Sequence, residues 1–332
     1  MSASTSGTGA LAAVVLAAGA GTRMRSRLPK VLHQAAGATL LEHVLRAVAA
    51  VAPEQTLVVV RHEAEQVRAA LAGSDVHCVE QGPRDGTAAA VDATRALLEG
   101  QAGTVLIING DAPLVRGESV QRLLATHRAG GPGMTMLTYE VDDPSGLGRV
   151  LRDRDGGVAA IVEERDADEQ TRAVREVNPG TYAFDAALWG LLERIGSDNA
   201  AGEYYLTDVI AAYREAGLPV RAVLGEDETR QLVGVNDRTQ LARAEALLRA
   251  RVRSRWLDAG VTMRQPETTV IDDEVALESD VVLEPGVMLL GHSSVGVGAE
   301  VGAYAVLRDC RVAPGARVPA HTVATGSVFE PA

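Results

Sequence analysis

Of the 32 basic residues in the chain, one alone is a lysine, Lys30, and all the others are arginine. Arginine offers a broad planar fork, whereas lysine offers a compact ammonium on a flexible stem, the better fit to a narrow phosphate pocket. Arg23, Arg25 and Arg27 lie within seven residues of it, so four cations cluster in a chain whose net charge is −12. Just upstream, Leu16-Ala17-Ala18-Gly19-Ala20-Gly21 closes an apolar run with a glycine-rich turn. There the backbone can approach a ligand closely and aim free N–H groups at phosphate. The turn is neither a dinucleotide fingerprint, which wants glycine where Met24 stands, nor a P-loop, which wants Gly-Lys-Ser/Thr. A second constellation, Asn109-Gly110-Asp111-Ala112-Pro113-Leu114, sets a carboxylate at the end of an apolar run. Magnesium prefers one or two protein oxygens and takes the rest from water and phosphate. Gly234-Val235-Asn236-Asp237 could bring the second oxygen. The chemistry these residues suit is binding of a phosphate-bearing ligand beside Mg2+.

Positioning such groups requires a sheet. Leu11–Leu16, Thr56–Val60, His77–Glu80 and Val105–Ile108 read as short β-branched or apolar strands, and Leu40–Val51, Ala64–Leu71 and Thr87–Leu98 as helices between them. That alternation implies right-handed crossovers and a mostly parallel mixed sheet in a Rossmann-like α/β domain. Ligands bind beyond the carboxyl ends of such strands, where Gly19–Lys30, Gln81–Thr87 and Gly110–Leu114 fall. From Ile271 the pattern changes: Ile271, Leu277, Leu283, Leu289, Val295, Val301 and Leu307 recur every six residues, and after one slipped step Val312 and Val318 resume the spacing. This is the signature of a hexapeptide β-helix, here of about three coils. The expected organisation is a disordered tail over residues 1–9, the α/β domain over 10–236, a solvated linker helix over 237–262, a short β-helix over 263–326, and a tail over 327–332.

Bulk composition narrows the function classes. With 46% hydrophobic and 23% charged residues the chain is that of a globular protein. Its acidic balance argues against nucleic-acid or anionic-membrane partners. Cys78 and Cys310 fit no metal or disulfide spacing, which suits a reducing, cytoplasmic location. The apolar stretch Ala10–Ala20 lacks a basic leader and is too short to span a bilayer, so it reads as a buried strand.

Seven motifs now stand in order: Leu16–Gly19 with Gly21–Met24; Leu28-Pro29-Lys30-Val31-Leu32; Gly110-Asp111-x-Pro113-Leu114; Gly146-x-Gly148-Arg149-Val150; Ile161-Val162-Glu163; Glu203-Tyr204-Tyr205-Leu206-Thr207-Asp208; and Gly234-Val235-Asn236. As a set they resemble the bacterial N-acetylglucosamine-1-phosphate uridylyltransferase family, and the hexads resemble the start of that family's left-handed β-helix. The resemblance implies roles. Arg23 and Lys30 would neutralise a triphosphate, with Asp111 as the third catalytic residue; Asp111 and Asn236 would hold Mg2+. Gln81, Gly86 and Thr87, with backbone at Leu16, Ala17, Gly19 and Gly21, would bind UTP and read its uracil. Gly148, Glu163 and Asn178 would hold the sugar-1-phosphate. It also implies a homotrimer through the β-helix.

The chain departs from the family's pattern at Arg84 (usually glutamine), Ala88 (glycine), Ala89 (histidine), Leu147 (an aromatic residue) and Pro179 (threonine), all in the stretches that would read base and sugar. Two other readings therefore stay open: a nucleotidyltransferase using glucose-1-phosphate or dTTP, and an inactive sugar-nucleotide-binding assembly subunit. Beyond Lys30 no lysine occurs, while the family's acetyltransferase half uses one, so acetyl transfer is not expected of these 332 residues.

Overall fold

A computed structural model describes residues 9–226 and 232–331, so most of the tail expected over 1–9 lies outside the described residues. The chain divides into two compact units, one comprising residues up to His33 together with Leu40–Gln240, the other Gln34–Thr39 together with Leu241 onward.

The first unit is built on a ten-stranded sheet. Its amino-terminal half contains β1 (Leu11–Leu16), β4 (Gln55–Val60), β5 (Val76–Glu80) and β6 (Thr104–Asn109), with β2 (Gln34–Ala35) and β3 (Ala38–Thr39) set apart in the second unit. These four strands are parallel in the order β5-β4-β1-β6. Between them run α1 (Leu40–Ala49), α2 (Ala64–Ala70), α3 (Thr87–Asp92) and α4 (Arg95–Leu98). Strand β1 is buried on both sides: Ala12 and Val14 enter one hydrophobic cluster, Leu11, Ala13 and Val15 the other. That two-sided burial is why its sequence is continuously apolar rather than alternating. The single helix expected over Thr87–Leu98 is broken in two where the Thr94 hydroxyl donates to the Val91 carbonyl at 2.7 Å.

After β6 the sheet changes character. Helix α5 (Gly117–Ala129) leads to β7 (Met134–Glu140), β8 (Gly148–Arg152) and β9 (Val158–Val162). Then α6 (Glu169–Arg172), β10 (Glu176–Asn178), β11 (Thr181–Phe184), α7 (Leu188–Leu192), α8 (Val209–Glu215) and β12 (Val220–Leu224) complete the unit. The order continues β6-β11-β7-β10-β8-β9 with antiparallel pairings, and β12 adds to β7 in parallel. The sheet is thus mixed, its parallel half built by helical crossovers and its other half by antiparallel pairings such as the return from β8 to β9 through a five-residue link. Sequence order turns back between β4-β5 and β6 at β1, so the crevice beyond Leu16 and Asn109, register partners across β1 and β6, is the switch point of the sheet.

The second unit contains twelve short strands from Thr262–Met263 to Val328–Phe329, stacked four deep on three faces. Partners lie 18 residues apart in the regular coils, as in Val270↔Met288 and Met288↔Val306. Past the five-residue step from Leu307 to Val312 the spacing falls to 17, as in Ser294↔Arg311 and Arg311↔Val328. Ile271, Leu277, Leu283, Leu289, Val295, Val301, Leu307, Val312 and Val318 are all buried. The stack is deeper than the three coils expected, because Thr262–Met263 precedes the hexad run and Val328–Phe329, in the stretch expected as a tail, still pairs.

Helix α9 (Arg238–Asp258) opens with Asp237 Oδ1 accepting the Gln240 N–H at 2.8 Å. A solvated linker was expected here; instead Leu248 and Val252 are buried and two of the arginines, Arg249 and Arg255, are engaged. Arg249 donates to the Ile271 carbonyl at 3.1 Å and pairs with Asp272 at 3.2 Å, and Arg255 donates to the Asp273 carbonyl at 3.0 Å. The helix therefore packs on the first coil, its arginines satisfying carbonyls and carboxylates there. The β2–β3 hairpin belongs to the same unit: Ala36 donates its N–H to Glu245 at 2.5 Å and accepts the Asp273 N–H at 2.9 Å.

Candidate active site

Two adjoining clefts open at the carboxyl ends of β1 and β6, and Leu16, Thr87, Asn109 and Asp111 line both. At their junction the Lys30 ammonium pairs with Asp111 Oδ2 and donates to Asn236 Oδ1 at 3.0 Å. The only lysine, a carboxylate and a carboxamide thus meet from positions 81 and 206 residues away from Lys30. Local structure explains how. Gly21 takes a left-handed φ of +59°, and a Cβ there would come within 2.8 Å of Lys30 Cβ, so glycine lets the two segments touch. Gly110 donates its N–H to the Leu16 carbonyl at 2.9 Å, turning the chain so that Asp111 faces the crevice. Val235 N–H donates to the Asp111 carbonyl at 2.9 Å, and Asn236 N–H to Gln240 Oε1 at 2.7 Å. Arg238 fixes the same stretch through the Met24 carbonyl at 3.2 Å and through His33, whose pKa is lowered by burial and then by that guanidinium.

The larger cleft is lined by Ala17, Gly19, Lys30, Gln81 and Gly86, together with Arg61, His62, Asp85 and Glu203. Gln81 is buried, and its amide donates to the Arg84 carbonyl at 2.7 Å and the Gly86 carbonyl at 3.3 Å; its own side-chain carbonyl accepts nothing among the described residues. The loop it braces is held from behind. Gly86 lies so close to Tyr204 that a Cβ would come within 2.3 Å of its carbonyl oxygen, and Ala88 N–H donates to that same carbonyl at 2.9 Å. Thr87 Oγ1 accepts the Leu206 N–H at 2.9 Å. Arg84, at a position where the sequence departs from the family, stacks over the Tyr204 ring at 5.3 Å and pairs with Asp92 at 2.5 Å. Arg61 pairs with Asp85 and donates to the Pro83 carbonyl at 3.3 Å.

The smaller cleft brings together Arg23, Gly148, Glu163, Asn178 and Asn236, with Leu147, Pro179, Tyr182 and Thr207. Arg23 is exposed and makes no ion pair among the described residues, leaving its charge available. Gly148 leaves room for Glu163: a Cβ there would approach both carboxylate oxygens at 3.3 Å. Asn178 is already engaged, donating to Tyr182 Oη at 2.6 Å and accepting the Gly180 N–H at 3.0 Å. Burial raises the Glu163 pKa, opposed by the Thr207 hydroxyl donating at 3.3 Å and reinforced by Asp208, Asp166 and Glu203. A carboxyl held above its ordinary value favours the folded state in its protonated form. That contribution is complete below the ordinary value of 4.5 and is lost as pH rises through the elevated folded value. Glu163→Gln is therefore expected to raise the melting temperature at neutral pH, the gain vanishing in acid; an unchanged melting curve at neutral pH would contradict the assignment.

Of the residues singled out from sequence, Gly21, Arg25 and Arg27 line neither cleft. Arg61 and His62 escaped notice although they directly follow β4, and the rule that pointed to Gly19 and Asp111 covers them equally. Tyr182 had no such signal, because it belongs to the antiparallel half. Among the described residues no cluster of three or more His, Cys, Asp or Glu side chains could hold a metal ion, and no helix is long and apolar enough to cross a membrane.

The profile of the MobA-like NTP transferase domain matches residues 13–198, the stretch that carries most of both clefts. The bifunctional protein GlmU of Thermus thermophilus is 47% identical over 318 residues, covering 96% of this chain and 69% of that protein. The chain belongs to the GlmU family. GlmU of Kineococcus radiotolerans is 50% identical over 311 residues, spanning 92% of this chain and 63% of the relative. As a family member the chain is a nucleotidyltransferase of the GlmU type. Among solved structures, one of a Bacillus anthracis protein assigned as a glucose-1-phosphate thymidylyltransferase matches with a TM-score of 0.60 at 17% identity, covering 72% of this chain and 95% of that one. At that identity the likeness speaks for the fold alone.

Proposed function

We propose that the chain transfers a uridylyl group from UTP to N-acetylglucosamine-1-phosphate, forming UDP-N-acetylglucosamine and pyrophosphate with the help of Mg2+. The observation that carries this reading is the meeting of Lys30, Asp111 and Asn236 where the two clefts join. An oxygen of the sugar phosphate attacks the α-phosphorus, forming one P–O bond as the bond from that phosphorus to the β-phosphate bridge breaks. No covalent protein nucleophile is required; the protein positions both substrates and offsets charge. Lys30 and Arg23 stabilise negative charge building on the departing pyrophosphate. The free side-chain carbonyl of Gln81 suits the N3–H of uracil, and the protonation-prone Glu163 suits sugar hydroxyl or amide groups.

The metal fits the residues present. Asp111 and Asn236 offer one anionic and one neutral hard oxygen, and both already converge on a cation, the Lys30 ammonium. Held by Asp111 and Asn236, Mg2+ would supply charge neutralisation and orientation for the phosphate oxygens. A cytoplasmic location accords with the two free cysteines.

The test is turnover with UTP, dTTP, ATP and GTP against N-acetylglucosamine-1-phosphate, glucose-1-phosphate and glucosamine-1-phosphate, read by pyrophosphate release with and without Mg2+. UTP with N-acetylglucosamine-1-phosphate is expected to give the highest kcat/KM. A preference for glucose-1-phosphate or dTTP would overturn the substrate assignment, and no turnover at all would leave the binding-subunit reading.

A further inference from the structure

The geometry points to a positioning pair beneath the smaller cleft: buried Arg149 and its partner Glu164 set the shape of the wall against which the sugar phosphate binds, without touching it. The inference rests on the functional reading above. Arg149 lies in β8, in register with Val162 of β9 and Val177 of β10, and is only 1% exposed. Its Nη2 lies 2.7 Å from Glu164 Oε2, and its Nη1 donates to the Leu147 carbonyl. The same Glu164 oxygen accepts the Gly146 N–H at 3.1 Å. One carboxylate and one guanidinium thus fasten the turn Gly146-Leu147-Gly148, every residue of which lines the cleft.

The cost of burying this guanidinium is visible. Its Nε is buried with no hydrogen-bond partner among the described residues. A buried charge with an unmatched donor is a poor source of stability, and an apolar side chain of similar volume would pack at least as well. What an apolar residue could not do is hold the Leu147 carbonyl and, through Glu164, the Gly146 amide. Consecutive acids therefore have different tasks: Glu163 lines the cleft, while Glu164 holds its wall. Arg172 reaches the same carboxylate at 3.6 Å from the exposed side and supplies an internal control.

The experiment compares the intact wild-type chain with Glu164→Gln, Glu164→Ala and Arg172→Ala, measuring KM for each substrate and kcat by pyrophosphate release, with melting curves alongside. A wall displaced by a fraction of an ångström should raise KM for the sugar phosphate about tenfold in Glu164→Ala and by less in Glu164→Gln. KM for UTP should stay within about twofold, and Arg172→Ala should resemble wild type throughout. Glu164→Gln keeps an acceptor for the Gly146 amide and is the arm expected to stay folded. Parallel loss in both KM values and kcat, no change in any of them, or unfolding of both Glu164 variants would overturn the proposal. Absence of turnover in the wild type would instead defeat the functional reading on which it rests.

Discussion

Replacing Asp111 by alanine is expected to lower Mg2+-dependent pyrophosphate release by about a thousandfold or more, the scale of losing a charge-stabilising group from the reacting centre. Asp111 is the one carboxylate that lines both clefts, so it lies where the two substrates must meet. The fold should survive. The Lys30–Asp111 pair is only partly accessible, with 14% and 20% of the side chains exposed, so the stability cost should lie between that of an exposed pair and a buried one, about 1–3 kcal/mol. Asp111→Asn keeps shape and hydrogen bonding but loses the charge, and should fall nearly as far. Asn236→Ala removes a neutral oxygen and should be milder, recovering in part at raised Mg2+. Turnover of Asp111→Ala within a few-fold of wild type, with an unchanged melting curve, would remove the metal role.

The second large effect falls on Lys30. Lys30→Met should reduce kcat/KM by about a thousandfold, and Lys30→Arg, although it conserves charge, by on the order of a hundredfold. The reason is space. Lys30 passes so close to Gly21 that no Cβ fits between them, and its ammonium sits between two side-chain oxygens. A planar guanidinium cannot occupy that point without moving Asp111 or Asn236. Steady-state kinetics of both variants at saturating UTP decide the matter: an arginine variant as active as wild type would mean that only net charge counts there.

Much of the architecture could be read from patterns with a physical cause. Leu11–Leu16 was legible as a strand because two-sided burial demands an unbroken apolar run, and the hexads because one residue in six must point inward in every coil. The antiparallel half was not. Strands β8, β10 and β11 carry Arg149, Asn178 and Tyr182 among apolar neighbours, and their pairing is decided by distant partners rather than by local period. The same division holds at the candidate site. Lys30 stood out because it breaks the chain's preference for arginine, and Asp111 because it ends a strand. The packing of Gly86 against Tyr204, and the engagement of Asn178 by Tyr182 and Gly180, depend on contacts that no single stretch announces. Helix α9 misled for a related reason: its arginine-rich face looks solvated until Arg249 and Arg255 are seen to reach carbonyls and carboxylates at Ile271–Asp273.

The small β2–β3 hairpin has a consequence for how the polypeptide can be divided. It is joined covalently to Lys30 and the glycine-rich turn on one side and to α1 on the other, yet its partners are Glu245 and Asp273. The backbone therefore visits the carboxy-terminal unit early, returns, and goes back for good only after Gln240. No single cut yields two self-sufficient fragments: a scission after residue 240 strands the hairpin Gln34–Thr39 without the groups that satisfy it, a few positions from the lone ammonium.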